Sequence, residues 1–188
     1  MIALLYEVSK YRDFLAKKVK QGDVVIEIGP HVGAAARLYL NKASLAVLID
    51  KGEQSEDAMK KLSETYENLR FIRADARRFG TVDSVRKLTR DCDVLAVDMG
   101  GGRFPDTVFK VWALWSGVFQ PRHSVIRNRG LAEFLQKTKI EDDSLRRDFP
   151  EDGWLSVWGR ATPSKLHEQM EEFRFYIDLD KPWKRGGI

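Results

Sequence analysis

Short apolar runs rich in β-branched residues alternate along this chain with stretches whose apolar positions recur every three or four residues. Residues 24–28, 44–49, 69–73, 93–97 and 123–126 are the runs, and their composition predicts strands buried on both faces. Between them, residues 34–40, 53–67, 82–88, 105–119 and 131–137 carry the helical spacing. In 53–67, Ala58, Leu62 and Tyr66 make one stripe. The 105–119 segment is apolar on most sides, and Pro105 suits its first turn, where a missing N–H costs little. Leu4, Leu5, Val8, Tyr11, Leu15 and Val19 predict a further helix over about 3–20. Residues 139–153 are highly charged and read as a loop or a marginal helix. Two late strands, 154–158 and 173–179, are expected around a helix at 164–172, followed by a short basic tail at 181–188.

Strands alternating with helices imply right-handed βαβ units. The expected fold class is therefore α/β, a doubly wound, mostly parallel sheet with helices on both faces. A length of 188 residues suits a single domain spanning 1–188. Ligands of such sheets bind outside the carboxyl ends of the strands. Glu27 and Gly29 stand at the first of those ends, then Asp50, Asp75 and Asp98, and Arg127-Asn128-Arg129 at the fifth. Four consecutive strands thus deliver an acid to one rim.

Composition narrows the chemistry. Charged residues at 32% and hydrophobic ones at 43% describe a soluble protein with a highly charged surface. The net charge of +4 permits an anionic partner without requiring one. The one cysteine, Cys92, rules out an internal disulfide, and its place before the fourth strand suits a buried, inert thiol. The three histidines lack ligand spacing, so no metal is expected. Neither a membrane span nor a signal-peptide pattern is present, and a cytoplasmic location is the expectation.

The stretch Glu27-Ile-Gly-Pro-His-Val-Gly33, on leaving the first strand, carries the most chemistry. Glycines there permit a tight turn and close approach of a ligand to backbone. A dinucleotide site wants G-x-G-x-x-G, but His31 holds its second place and Glu27 would repel a pyrophosphate. The stretch instead resembles the first motif of the class I, Rossmann-like S-adenosylmethionine-dependent methyltransferases, acid-x-Gly-x-Gly-x-Gly, departing from it at His31. The resemblance covers the ordered pattern from Val24 to about Ile126. It implies S-adenosyl-L-methionine as cofactor. Glu27, Gly29, Pro30, His31 and Gly33 would then surround its methionine part. Asp50, 21 residues after Gly29, would bind the ribose hydroxyls with Lys51 beside it. Asp75 and Ala76 would meet the adenine, and Asp98 the methyl or the ammonium. His31 reads as a tolerated turn residue or a base, the former being the simpler.

Methyl transfer asks the protein mainly to hold a nucleophile in line and exclude water. Asp98-Met-Gly-Gly101 lacks the Pro-Pro-aromatic continuation of enzymes that methylate base amines, and Arg127 stands where magnesium-dependent relatives carry an acid. Asp98, Arg103 and Arg129 are left as the catalytic candidates: an acid to orient the nucleophile and guanidiniums for an anionic group. The plainer reading pairs these arginines with neighbouring acids. The expected function is a methyltransferase acting on an anionic substrate, either RNA or a phosphorylated or carboxylated small molecule. The alternatives are a non-catalytic cofactor-binding interaction protein and an NAD-type oxidoreductase. A homo-oligomer stays open.

Overall fold

A computed structural model of the chain describes residues 1–156. Its strands are β1 (Ile2–Leu5), β2 (Val24–Ile28), β3 (Leu45–Asp50), β4 (Leu69–Arg73), β5 (Val94–Val97) and β6 (His123–Arg127). The helices are α1 (Val8–Lys18), α2 (Glu53–Thr65), α3 (Phe79–Arg86), α4 (Pro105–Phe119) and α5 (Arg129–Lys137). All six strands pair in parallel, in the order β1-β6-β5-β2-β3-β4.

The period of two along each strand sorts its side chains between two cores. Ile26, Ile28, Val47, Ile49, Leu95 and Val97 meet Val82, Val85, Val108, Val111 and Trp115 of α3 and α4. Val25, Ala46, Leu48, Val94, Ala96 and Val125 point the other way, onto Tyr11 and Leu15 of α1 and Met59 and Leu62 of α2. Register keeps the carboxyl ends level: Ile28 lies opposite Ile49 and Val97, Val97 opposite Ile126, and Leu5 opposite Arg127.

Three expectations change. The 3–20 segment is not one helix, because its first residues form β1 and only Val8–Lys18 is helical. A run such as Ile2-Ala-Leu-Leu is ambiguous by period alone, and pairing with β6 decides it. The helix expected over 34–40 is a succession of turns with a 3-10 segment at Ala36–Leu38. Tyr39 and Leu40 are nevertheless buried there, so the apolar spacing serves a compact turn. Consequently no helix dipole backs the glycine turn, contrary to the usual dinucleotide arrangement. Finally, 154–156 carries no strand, while the remainder of the late strands, the 164–172 helix and the basic tail lie outside the described residues. Among the described residues the slot beside β6 is filled by β1 from the N-terminal end. No helix there is long and apolar enough to cross a membrane.

Candidate active site

The carboxyl ends of the strands surround a cavity of about 430 Å³. Ile28, Ile49, Ala74 and Ala76 supply apolar wall, while His31, Asp50, Lys51, Asp75, Asp98 and Arg127 supply polar groups. That volume lies within the range of about 300–1,000 Å³ usual for small-molecule sites.

The turn after β2 is built from both sides. Gly29 has φ 80°, His31 φ 53° and Gly33 φ 74°, all left-handed. A β-carbon on Gly29 would run into the main-chain carbonyl of Asp98, so the turn lies directly on the end of β5. At Gly33 it would come within 2.5 Å of Leu62 Cδ1 and 2.8 Å of Met59 Cε. Gly33 therefore packs on α2 rather than lining the cavity. Pro30 is buried and also off the cavity wall, whereas Gly29 and His31 are on it.

Asp50 fastens this turn. Its Oδ2 accepts the His31 backbone N–H at 3.0 Å, and its Oδ1 accepts that of Gly52 at 2.8 Å. Each oxygen keeps acceptor capacity toward the cavity. Glu27 sits beneath the turn, 1% exposed, on the α1 and α2 face of the sheet. The Tyr39 hydroxyl donates to its Oε2 at 2.5 Å. Burial pushes the Glu27 carboxyl up to about 7; the Tyr39 hydrogen bond works against that shift, and the charge of Asp98 adds to it. Glu27 is thus a support under the floor and not part of the wall.

Asp75 is gripped by Arg77, whose Nε donates to both its oxygens at 2.9 and 3.0 Å. Burial opposes its ionisation, but these bonds prevail and hold the carboxyl below its ordinary range. The loop behind it is pinned where Trp115 Nε1 donates to the Ala76 carbonyl at 2.8 Å. Asp98 is held by Arg127, whose Nη1 donates to Oδ1 at 2.8 Å and to Oδ2 at 3.1 Å. Burial raises the Asp98 carboxyl above its ordinary range, against the pull of Arg127.

Of the three arginines at the expected acceptor end, only Arg127 lines the cavity. Arg103 is exposed on the rim; its carbonyl accepts from Asn128 Nδ2 at 2.7 Å, which ties the loop after β5 to the one after β6. Arg129 is exposed at the start of α5, its guanidinium 5.8 Å from the centre of the Tyr6 ring. Asn128, 0% exposed, also caps α5 by accepting from the Leu131 N–H. Cys92 is buried, and burial raises its thiol well above the ordinary range.

Val8, Arg12 and Met99 line the cavity although the sequence did not single them out. The first two belong to α1, which follows β1. Once Ile2–Leu5 is a strand parallel to β6, whatever leaves its carboxyl end falls on the same rim. Arg12 makes no hydrogen bond or ion pair with another described residue, although its charge acts on both Glu27 and Asp98.

No protein-family model matches the chain, and no curated protein does. Solved structures do match. A dimethyladenosine transferase from Plasmodium falciparum is 22% identical, with 76% of this chain and 49% of that one covered at a TM-score of 0.54. An rRNA methylase from Streptococcus thermophilus is 14% identical, with 68% and 77% covered at 0.50. Aeropyrum pernix fibrillarin, solved with natively bound S-adenosyl-L-methionine, is 18% identical over 54% and 43%, at 0.46. The match thus spans about half of the Plasmodium chain and less than half of fibrillarin. The likeness to the first two is one of fold: the six parallel strands with helices on both faces make the Rossmann-like fold of the class I S-adenosylmethionine-dependent methyltransferases.

Proposed function

We propose that this protein is an S-adenosylmethionine-dependent methyltransferase acting on an anionic substrate. One observation carries the reading: the glycine turn, Asp50, Asp75 and Asp98 stand at the level ends of four adjoining strands around a single cavity. The donor set fits the cofactor. Asp50 has lone pairs for two adjacent hydroxyls, Ile28, Ile49 and Ala76 offer apolar wall to a flat base, and Asp98 and Arg12, which has no ion-pair partner among the described residues, suit an ammonium and a carboxylate. When bound, the cofactor supplies a methyl group on a positively charged sulfur, which keeps the bonding pair when a nucleophile takes the methyl.

The chain's own contribution is positional. Arg127 fixes the Asp98 carboxylate in the cavity wall, where it can orient a nucleophile or receive its proton. Arg103 and Arg129, exposed on the same rim, are the groups for the substrate's negative charge. The Plasmodium and Streptococcus proteins are named for adenosine and rRNA methylation, which favours RNA among anionic substrates.

Calorimetric titration with S-adenosylmethionine, S-adenosylhomocysteine and NAD tests the reading. Binding of the first two, weakened at least about tenfold in Asp50→Ala, is the expected result. Asp50→Asn, which keeps one acceptor oxygen for the turn, separates loss of the ligand from loss of the turn. Binding of NAD alone, or of none of the three, overturns the proposal.

A further inference from the structure

The loop after β5 carries an arrangement that cofactor binding does not use. Gly100, Gly101 and Gly102 have φ 59°, 65° and 83°, three left-handed residues in succession. Gly100 and Gly101 line the cavity. Aromatic rings clasp this turn at both ends. A β-carbon on Gly100 would lie 2.7 Å from Phe104 Cδ2, and one on Gly102 would lie 3.1 Å from Tyr6 Cε2. The absent side chains are therefore what lets the two rings close on the turn.

Neither ring is buried: Phe104 is 59% exposed and Tyr6 48%. Phe104 moreover has a left-handed backbone of its own, φ 55° and ψ 64°, which L side chains rarely adopt. Core packing does not explain a strained, exposed phenylalanine laid against a glycine of the cavity wall. Guanidiniums surround the rings. Arg127 and Arg129 stand 5.7 and 5.8 Å from the centre of Tyr6, and Arg103 directly precedes Phe104. Arg127 is committed to Asp98, whereas the side chains of Arg103 and Arg129 have no acid partner among the described residues. Asp106 is the exposed acid close by in sequence.

Exposed rings beside guanidiniums that have no acid partner among the described residues match one ligand chemistry in particular: a flat, apolar base joined to a phosphate. Aromatic faces stack any base, and arginine takes the phosphate by two parallel hydrogen bonds. We infer that Phe104, with Tyr6, is a stacking platform for a nucleotide whose phosphate is held by Arg103 and Arg129, and that the acceptor enters over this platform as a unit of a single strand. This deepens the methyltransferase reading and rests on it. A free nucleotide would offer the same chemistry from another source.

The test uses the full chain, a fluorescein-labelled mixed-sequence single-stranded RNA of about 12 nucleotides, and anisotropy at two salt concentrations. Phe104→Gly removes the ring while suiting the left-handed backbone. It is expected to weaken RNA binding about tenfold, with Phe104→Trp restoring it. Arg103→Ala with Arg129→Ala is expected to flatten the salt dependence by a slope of about 0.7, since the two guanidiniums hold one phosphate. Competition by an equimolar mixture of 5′-mononucleotides would make the free nucleotide the ligand and overturn the single strand; lack of competition supports the strand. RNA affinity unchanged in Phe104→Gly overturns the platform and leaves the ring to an apolar partner. Titration with S-adenosylmethionine on the same samples keeps the two ideas apart. If the cofactor binds but the RNA result fails, only this inference falls; if the cofactor does not bind, the methyltransferase reading falls with it.

Discussion

Two glycine turns border the cavity side by side, one after β2 and one after β5, and they are held in different ways. The first is wedged into the molecule. Gly29 lies on the Asp98 carbonyl, Gly33 on α2, and the His31 N–H is tied to Asp50. The second rests on longer backbone bonds, Gly102 N–H to the Met99 carbonyl and Arg103 N–H to the Gly100 carbonyl, both at 3.3 Å. Its remaining support comes from the buried Asn128, whose Nδ2 donates to the Arg103 carbonyl, and from the half-exposed rings of Tyr6 and Phe104. A turn fixed by core and main chain suits a ligand of constant shape. A turn that rests on one buried amide at its end and on surface rings elsewhere can differ in its contacts without disturbing the sheet. This contrast agrees with a cofactor at the first turn and an acceptor at the second.

Substitution at the first turn is the hardest test of that contrast. Gly29→Ala places a methyl group in a main-chain carbonyl at a left-handed position, so neither partner can yield. A loss of about 4 kcal/mol or more is expected by chemical denaturation, enough to leave little folded protein. A loss below about 1 kcal/mol would show that the two strand ends are not locked together.

Glu27 comes next. Between about pH 4.5 and 7 the folded chain holds a proton on this carboxyl that the unfolded chain has lost. Stability therefore falls as pH rises through that window, by up to about 3 kcal/mol from this group. His123 acts in the opposite sense, since burial chiefly lowers it to about 4 and its folded form is the less protonated one. The measurement is thus the difference between wild type and Glu27→Gln in melts taken from pH 4.5 to 8. The variant gains on the wild type as pH rises, and a constant difference would show that Glu27 is ionised throughout.

Gly33→Ala is smaller, because the atoms in its way are the ends of the Leu62 and Met59 side chains. About 2 kcal/mol is expected from strain and overpacking together. At the second turn, a β-carbon on Gly101 meets nothing within 4 Å. Only its left-handed conformation opposes Gly101→Ala, costing about 1 kcal/mol, part of which is recovered from the stiffer unfolded chain. Reversal of the order between Gly29 and Gly101 in paired denaturation curves would abolish the distinction between the turns.

Much of this was legible in the chain itself. Strands β2 to β6 follow from apolar runs bounded by turn residues, and β4 and α4 fall where the pattern puts them. Asp50, Asp75 and Asp98 at level strand ends follow from the βαβ rule. These are local facts: period, turn chemistry and residue order are carried by a few neighbours in sequence. Other features depend on residues far apart. Ile2–Leu5 is a strand only because β6 offers an edge, and Tyr6, Val8 and Arg12 reach the rim only as a consequence. Glu27 leaves the cavity wall because its register points it to the α1 and α2 face, where Tyr39 receives it. Arg127, and not Arg103 or Arg129, enters the cavity because Asp98 and the Tyr6 carbonyl hold it there. The sequence by itself determined which strands deliver acids to one rim. Tertiary structure decided which side chains face the cavity, because burial, ion pairing and the pairing of distant strands are energies between residues that sequence spacing does not contain.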